Sequence, residues 1–179
     1  MVSCRFQARV ESINGSAVLR LPATESAKLP SRGQVAVLGN LDGVPFRTVL
    51  EPDGRSGHWM RVDPAWEAAT GLRTGQTAAV EVEVEPTKSW PEPTLPADLE
   101  LALASAPEKV RSAWQDITSM ARWEWVRWVN ATRSPDTRRR RVEVSVSKLG
   151  SGKRRPCCFD LSACTDPQLS RNGVLADPS

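Results

Sequence analysis

Residues 77–104 read TAAVEVEVEPTKSWPEPTLPADLELALA, and this stretch decides the fold class. Val80, Val82 and Val84 alternate with Glu81, Glu83 and Glu85, the period-two pattern of a strand with one buried face. Pro86, Pro91, Pro93 and Pro96 then interrupt both helix and sheet, so the chain runs extended. Asp98 follows as an acidic helix start, with Leu99 and Leu103 four residues apart on one face. A strand, a linker and a helix start, in that order, predict a β-rich domain followed by a helical one.

Working back from Thr77, strand signals recur at short intervals. Phe6, Ala8 and Val10 alternate with polar residues, and Asn14-Gly15 marks a hairpin before residues 17–21. Val35 and Val37 share a face in 34–38, and Asp42-Gly43 turns the chain into 44–50. Pro52-Asp53-Gly54 punctuates, and 58–62 makes a short strand. Asp63-Pro64 is a cap followed by a proline at the first helical position, which predicts a short helix over 65–70 ended by Gly71. Six short strands with one short helix predict a small closed six-stranded β-barrel, since closure removes exposed edges. The fold class is therefore α+β.

Working forward, Pro107 opens a helix with Val110, Trp114 and Ile117 on one face. Ser119 is a cap for the next, whose seam is Trp125, Trp128 and Val129. Ser134-Pro135-Asp136 starts another, with Val142, Val146 and Leu149 as its buried face. Val142, Val144 and Val146 also alternate like a strand, but the capping residues and the helix-forming arginines favour helix. The expected organisation is a barrel over 1–86, a proline-rich linker over 87–97, a helical module over 98–150, and a poorly ordered tail over 151–179, where no apolar period is visible.

At 179 residues, 40% hydrophobic and 25% charged, the chain can bury a core without disulfides. The four cysteines, Cys4, Cys157, Cys158 and Cys164, lack paired CxxC arms, which argues against a zinc site. They are expected as reduced thiols in a cytoplasmic protein. No stretch approaches the ~20 apolar residues of a membrane span. No dinucleotide or phosphate-binding glycine loop and no GxSxG elbow is present. No cofactor is expected.

The charge is uneven. Residues 76–108 hold seven acids against Lys88, whereas residues 131–155 hold nine basic residues against Asp136 and Glu143. The basic block includes Arg138 to Arg141. Consecutive helical residues are about 100° apart, so these four cannot share one partner. Arg138 and Arg141 fall toward the packed face, where carboxylates or backbone carbonyls at the barrel–helix junction are the expected partners. Arg139 and Arg140 point outward.

The residues also carry a resemblance. Val18 to Pro22, Arg32-Gly33, Gly39, Leu41-Asp42-Gly43, Pro45-Phe46-Arg47-Thr48, Pro52-Asp53-Gly54, Gly57-His58, Gly71-Leu72 and Gly75 occur in an order that resembles a bacterial domain of unknown function. The resemblance implies a double-split β-barrel, of the kind that includes AbrB-like and MazE-like folds. Trp128-Val129, Ala131, Thr137-Arg138, Arg140-Arg141, Leu149 and the run from Lys153 to Phe159 are similar to the YdeI/OmpD-associated, or bacteriocin-protection, helical module. That similarity implies a role in tolerance to antimicrobial peptides or envelope stress.

The candidate binding residues are Arg47, His58, Trp125, Trp128, Arg138 and Arg141. Arg47 sits within a strand and needs a carboxylate or an anion. His58 is the sole histidine, the usual agent of acid–base chemistry near neutral pH. The tryptophans suit a packed seam or a groove for an apolar ligand or peptide. The expected function is a non-enzymatic binding or stress-protection protein for a small molecule or peptide. The alternative is nucleic-acid binding through the arginine helix, since guanidinium forks match phosphate oxygens.

Overall fold

The computed structural model describes residues 1–157 and 160–179. Cys158 and Phe159, which fall in the bacteriocin-protection-like run, lie outside the described residues. The chain divides into two compact units. The first comprises Met1–Pro86, Leu161–Cys164 and Gln168–Ser179; the second comprises Thr87–Asp160 and Thr165–Pro167.

The first unit is an antiparallel sheet built from β1 (Ser3–Arg9), β2 (Glu11–Ile13), β3 (Ser16–Arg20), β4 (Val35–Leu41), β5 (Val44–Pro52), β6 (His58–Arg61) and β7 (Thr77–Val84). The order is β1-β7-β4-β5-β6-β3-β2. β1 and β2 are one residue apart in the chain yet lie at opposite ends of that order. Val10 is the break: its N–H donates to the Gln76 carbonyl and its carbonyl accepts from the Gly75 N–H, each at 2.8 Å. Beyond Val10 the chain leaves β7 and pairs with β3 instead.

The sheet therefore curls into a half-barrel. The expected closed barrel of six strands does not form: the first strand is split in two, and among the described residues no strand pair completes the ladder. Period two still assigns the faces. Val35, Val37, Leu41, Val80 and Val82 are buried inward with Val10, Leu19, Leu50 and Met60, and Phe6 packs against them half-buried.

Turn chemistry falls where the sequence puts it. Asn14-Gly15 and Asp42-Gly43 both take left-handed backbone angles, as a two-residue hairpin turn requires. α2 (Pro64–Thr70) starts with Asp63 accepting from the Ala65 N–H and ends at Gly71, with φ of 73°. A one-turn helix, α1 (Ala23–Ser26), was not anticipated.

The expected disordered tail is a second correction. Cys164, Leu169 and Leu175 are buried in a core with Ile13, Val18 and Trp59. β8 (Ser170–Arg171) and β9 (Val174–Leu175) form a hairpin around Asn172-Gly173, a turn signal of the strongest kind. The Leu175 N–H donates to the Asp53 carbonyl at 2.9 Å, and the Arg20 guanidinium reaches the Ala176 carbonyl. A Cβ at Gly54 would overlap the Gly173 carbonyl oxygen, so the two backbones touch. Single apolar residues five or six apart carry this packing, and such spacing has no helix or strand period to detect.

The second unit holds α3 (Ala97–Ala104), α4 (Glu108–Asp116), α5 (Ser119–Asn130) and α6 (Pro135–Gly150). α6 is a helix, capped by Ser134 accepting from the Thr137 N–H. Thr118, not Ser119, caps α5. The core is Leu99, Leu103, Val110, Ile117, Trp125, Val129, Val142 and Leu149, with Trp128 and Val146 half-buried at its margin. Residues expected to form a free linker are packed. Trp90 and Pro93 are buried, and Trp123 Nε1 donates to the Pro91 carbonyl at 2.6 Å. Cys4 and Cys164 are free and buried, whereas Cys157 is disulfide-bonded, against the expectation of reduced thiols throughout.

Burial of Leu169 and Leu175 makes a definite prediction. Leu169→Ala or Leu175→Ala should each lower unfolding stability by about 2–5 kcal/mol in urea titrations, the range for truncating a buried leucine. A poorly ordered tail would leave the urea midpoint unchanged.

Candidate functional site

The six candidate residues fall in both units, and each has structural partners. Arg47 on β5 makes a two-pronged ion pair with Glu85: Nε and Nη2 each lie 2.9 Å from a carboxylate oxygen. Glu85 is buried and follows β7 directly, so the pair ties the end of that strand to β5.

His58 on β6 is 1% exposed. Its Nε2 lies 2.9 Å from the Gly33 carbonyl, which can only accept, so Nε2 carries the proton. Nδ1 is then the acceptor for the Ser26 hydroxyl at 2.6 Å. Burial holds the imidazole below its ordinary pKa, in the neutral form. A serine–histidine contact thus exists, but Ser26 is also 1% exposed and no substrate can reach it.

Trp125 is fully buried, with Nε1 donating to the Arg154 carbonyl at 3.0 Å. Trp128 meets Trp125 edge-on at 6.1 Å and takes two cations on its ring, Arg141 at 5.3 Å and Lys148 at 5.9 Å. Positions 141 and 148 are two turns apart on α6, so both face the same indole. Arg141 also donates to the Trp128 and Ala131 carbonyls, which satisfies acceptors at the end of α5.

Arg138 grips Asp98 with Nε and Nη2 at 2.7 and 2.9 Å, and Asn130 Oδ1 with Nη1 at 2.8 Å. Hydrogen bonding from Arg138 holds the Asp98 carboxyl below its usual range. These partners of Arg138 and Arg141 all lie within the helical unit itself. Arg139 is exposed and meets Asp136, one turn back, while Arg140 is exposed.

Two features escaped the sequence reading. Glu124, in the middle of the tryptophan run, is buried, and its carboxyl is pushed up by desolvation despite Arg155 at 3.3 Å. The WEWVRW pattern gives no sign of this, because helical phase alone does not bury a charge.

The second feature is a cavity of about 430 Å³ on the half-barrel, lined in part by Arg5, Leu38, Asn40, Pro45, Glu81 and Glu83. Register brings these together on the outward face. Arg5 lies opposite Glu81 and Glu81 opposite Asn40; Leu38 lies opposite Glu83. Leu38 is 46% exposed, unusual for a leucine inside a central strand. The alternation of 77–84 did place Glu81 and Glu83 outward, but read alone it suggests only a solvated face. Gly39 shapes the floor: a Cβ there would overlap the Glu81 carbonyl and press on the Phe46 ring. Among the described residues no cluster of histidine, cysteine, aspartate and glutamate has the geometry to hold a metal ion. No helix is long and apolar enough to cross a membrane, again among the described residues.

Two family models match the chain in tandem. Residues 6–82 match the model of a domain of unknown function, DUF1905. Residues 92–152 match the model described as Bacteriocin-protection, YdeI or OmpD-Associated (OmdA). The chain is similar to both in that order, and the two matched stretches fall one in each structural unit. No curated protein matches it.

The arginine geometry predicts an order of effects. Arg138→Ala should cost about 1–2 kcal/mol, for a forked charge-assisted pair with an added amide contact. Arg139→Ala should cost about 0–0.5 kcal/mol, for an exposed pair on one helix. Equal losses in urea titrations would contradict the assignment. For His58, the ring's ¹⁵N resonances should show the neutral Nε2–H tautomer at pH 6, below the ordinary midpoint of about 6.5. Half-protonation near pH 6.5 would contradict the sealed site.

Proposed function

We propose that the chain is a binding protein acting in tolerance to antimicrobial peptides, with its ligand site in the cavity on the outer face of the half-barrel. The cavity carries this reading, because it joins an exposed apolar side chain to carboxylates and an amide on rigid strands. The similarity of residues 92–152 to a bacteriocin-protection family supports the biological setting. The groups best suited to catalysis are poorly set for it, which favours binding over reaction. His58 is neutral and sealed, and burial pushes the Cys4 thiol up, away from its reactive form.

A second reading has one observation in its favour. Arg139 and Arg140 are exposed while Arg138 and Arg141 are committed, which leaves an outward cationic edge on α6. Two arginines neutralise few phosphates, and at about −0.9 in log–log slope per phosphate the salt dependence would be shallow.

Expression of the chain in a bacteriocin-sensitive bacterium should raise the peptide concentration that stops growth. Unchanged sensitivity at good expression would contradict the proposal. Retention on duplex DNA with a shallow salt slope, of about two phosphates and lost in Arg139→Ala, would favour the second reading instead.

A further inference from the structure

The cavity's lining specifies a ligand chemistry more narrowly than that reading, on which the following inference rests. Two cations and two carboxylates near it are already paired. Arg5 pairs with Glu81 at 3.1 Å, and Arg47, the cross-strand neighbour of Leu38, is held by Glu85. Among the described residues Glu83 has no ion-pair partner, and it is exposed. Its neighbour across the ladder from β7 to β4 is Leu38. Side chains directly opposite on one face of an antiparallel pair have Cβ atoms about 4.5–5.5 Å apart. An uncompensated carboxylate therefore stands beside an exposed leucine, at the mouth of a cavity whose rim also offers the Asn40 amide.

We infer that this cavity takes the basic side chain of a cationic, amphipathic peptide. A lysine or arginine has an apolar stem and a charged head, and long basic side chains lay the stem on apolar surface while the head seeks a counter-charge. Here the stem lies against Leu38 and the head meets Glu83. An anionic or uncharged apolar ligand would use Leu38 but would leave the carboxylate unmatched or opposed. The strands hold both groups rigidly, so little is lost to ordering the site on binding. The Arg5–Glu81 pair, two residues along β7, keeps the rest of the rim near neutral and confines attraction to Glu83.

The experiment is a calorimetric titration of the intact chain with a synthetic peptide of alternating lysine and leucine. A second peptide, with glutamate in place of lysine, is the control. Glu83→Gln keeps the shape and removes the charge; Glu83→Lys reverses it; Leu38→Ser removes the apolar contact. Both positions are exposed, and unchanged urea midpoints in all three variants confirm intact folding. The lysine peptide should bind and the glutamate peptide should not. Glu83→Gln should weaken binding about two- to fivefold, as loss of an exposed charge pair does. Glu83→Lys should weaken it by more than about tenfold through like-charge opposition. Leu38→Ser should weaken binding to the lysine peptide as well.

Binding of the lysine peptide that is indifferent to all three variants would overturn the site while leaving the tolerance reading intact. Binding of the glutamate peptide with equal affinity would overturn the ligand class alone. Absence of binding by either peptide, together with no protection in growing cells, would overturn both.

Discussion

The N-terminal strand must serve two edges of one sheet. Up to Arg9 it pairs with β7, and from Glu11 it pairs with β3. Neither ladder can be given up, because each leaves a row of buried backbone groups to be satisfied. The change of partner occurs at Val10, whose amide and carbonyl are taken by the turn at Gly75 and Gln76. A sheet bent to meet both demands encloses its inner face, where Val10 is itself 1% exposed. At β4 and β7 the opposite face meets solvent, and there the register lines up Leu38 with Glu83.

In the helical unit the governing constraint is helical phase. Four consecutive arginines on α6 are sorted by rotation alone. Arg138 reaches Asp98 and Asn130, Arg141 closes the end of α5 and covers Trp128, and Arg139 and Arg140 are left outward. The run looks like a ligand-binding motif because its charge is dense, yet two of its members hold helices together. Trp128 shows the same economy. It meets Trp125 in a T-shaped contact while cations lie over its ring, an arrangement suited to a residue at the margin of a core.

Much of this was legible in the residues themselves. Period two in 77–84, the Asn-Gly and Asp-Gly turns, Asp63-Pro64 and Ser134-Pro135 each specified local structure that the fold retains, because backbone geometry dictates the residue. What failed depended on distant partners. The split at Val10 is invisible locally, since both halves read as strand. Residues 160–179 have no period, and Leu169 and Leu175 find their core only through Ile13, Val18 and Trp59. His58 and Arg47 were flagged by residue type, and their roles were fixed by Gly33, Ser26 and Glu85, which no spacing announces. The cavity is the clearest case. Glu83 was seen to point outward, but only register reveals which leucine stands beside it.

If the half-barrel depends on the shared N-terminal strand and on Leu169 and Leu175, packed against Ile13, Val18 and Trp59, these parts should open together. Native-state hydrogen exchange across a urea series measures this directly. The account predicts that the amides of Val10, Val82, Leu175 and Ala176 all exchange through the same opening, with one free energy and one urea dependence. Fast, urea-independent exchange at Leu175 and Ala176, with Val82 still protected, would contradict it.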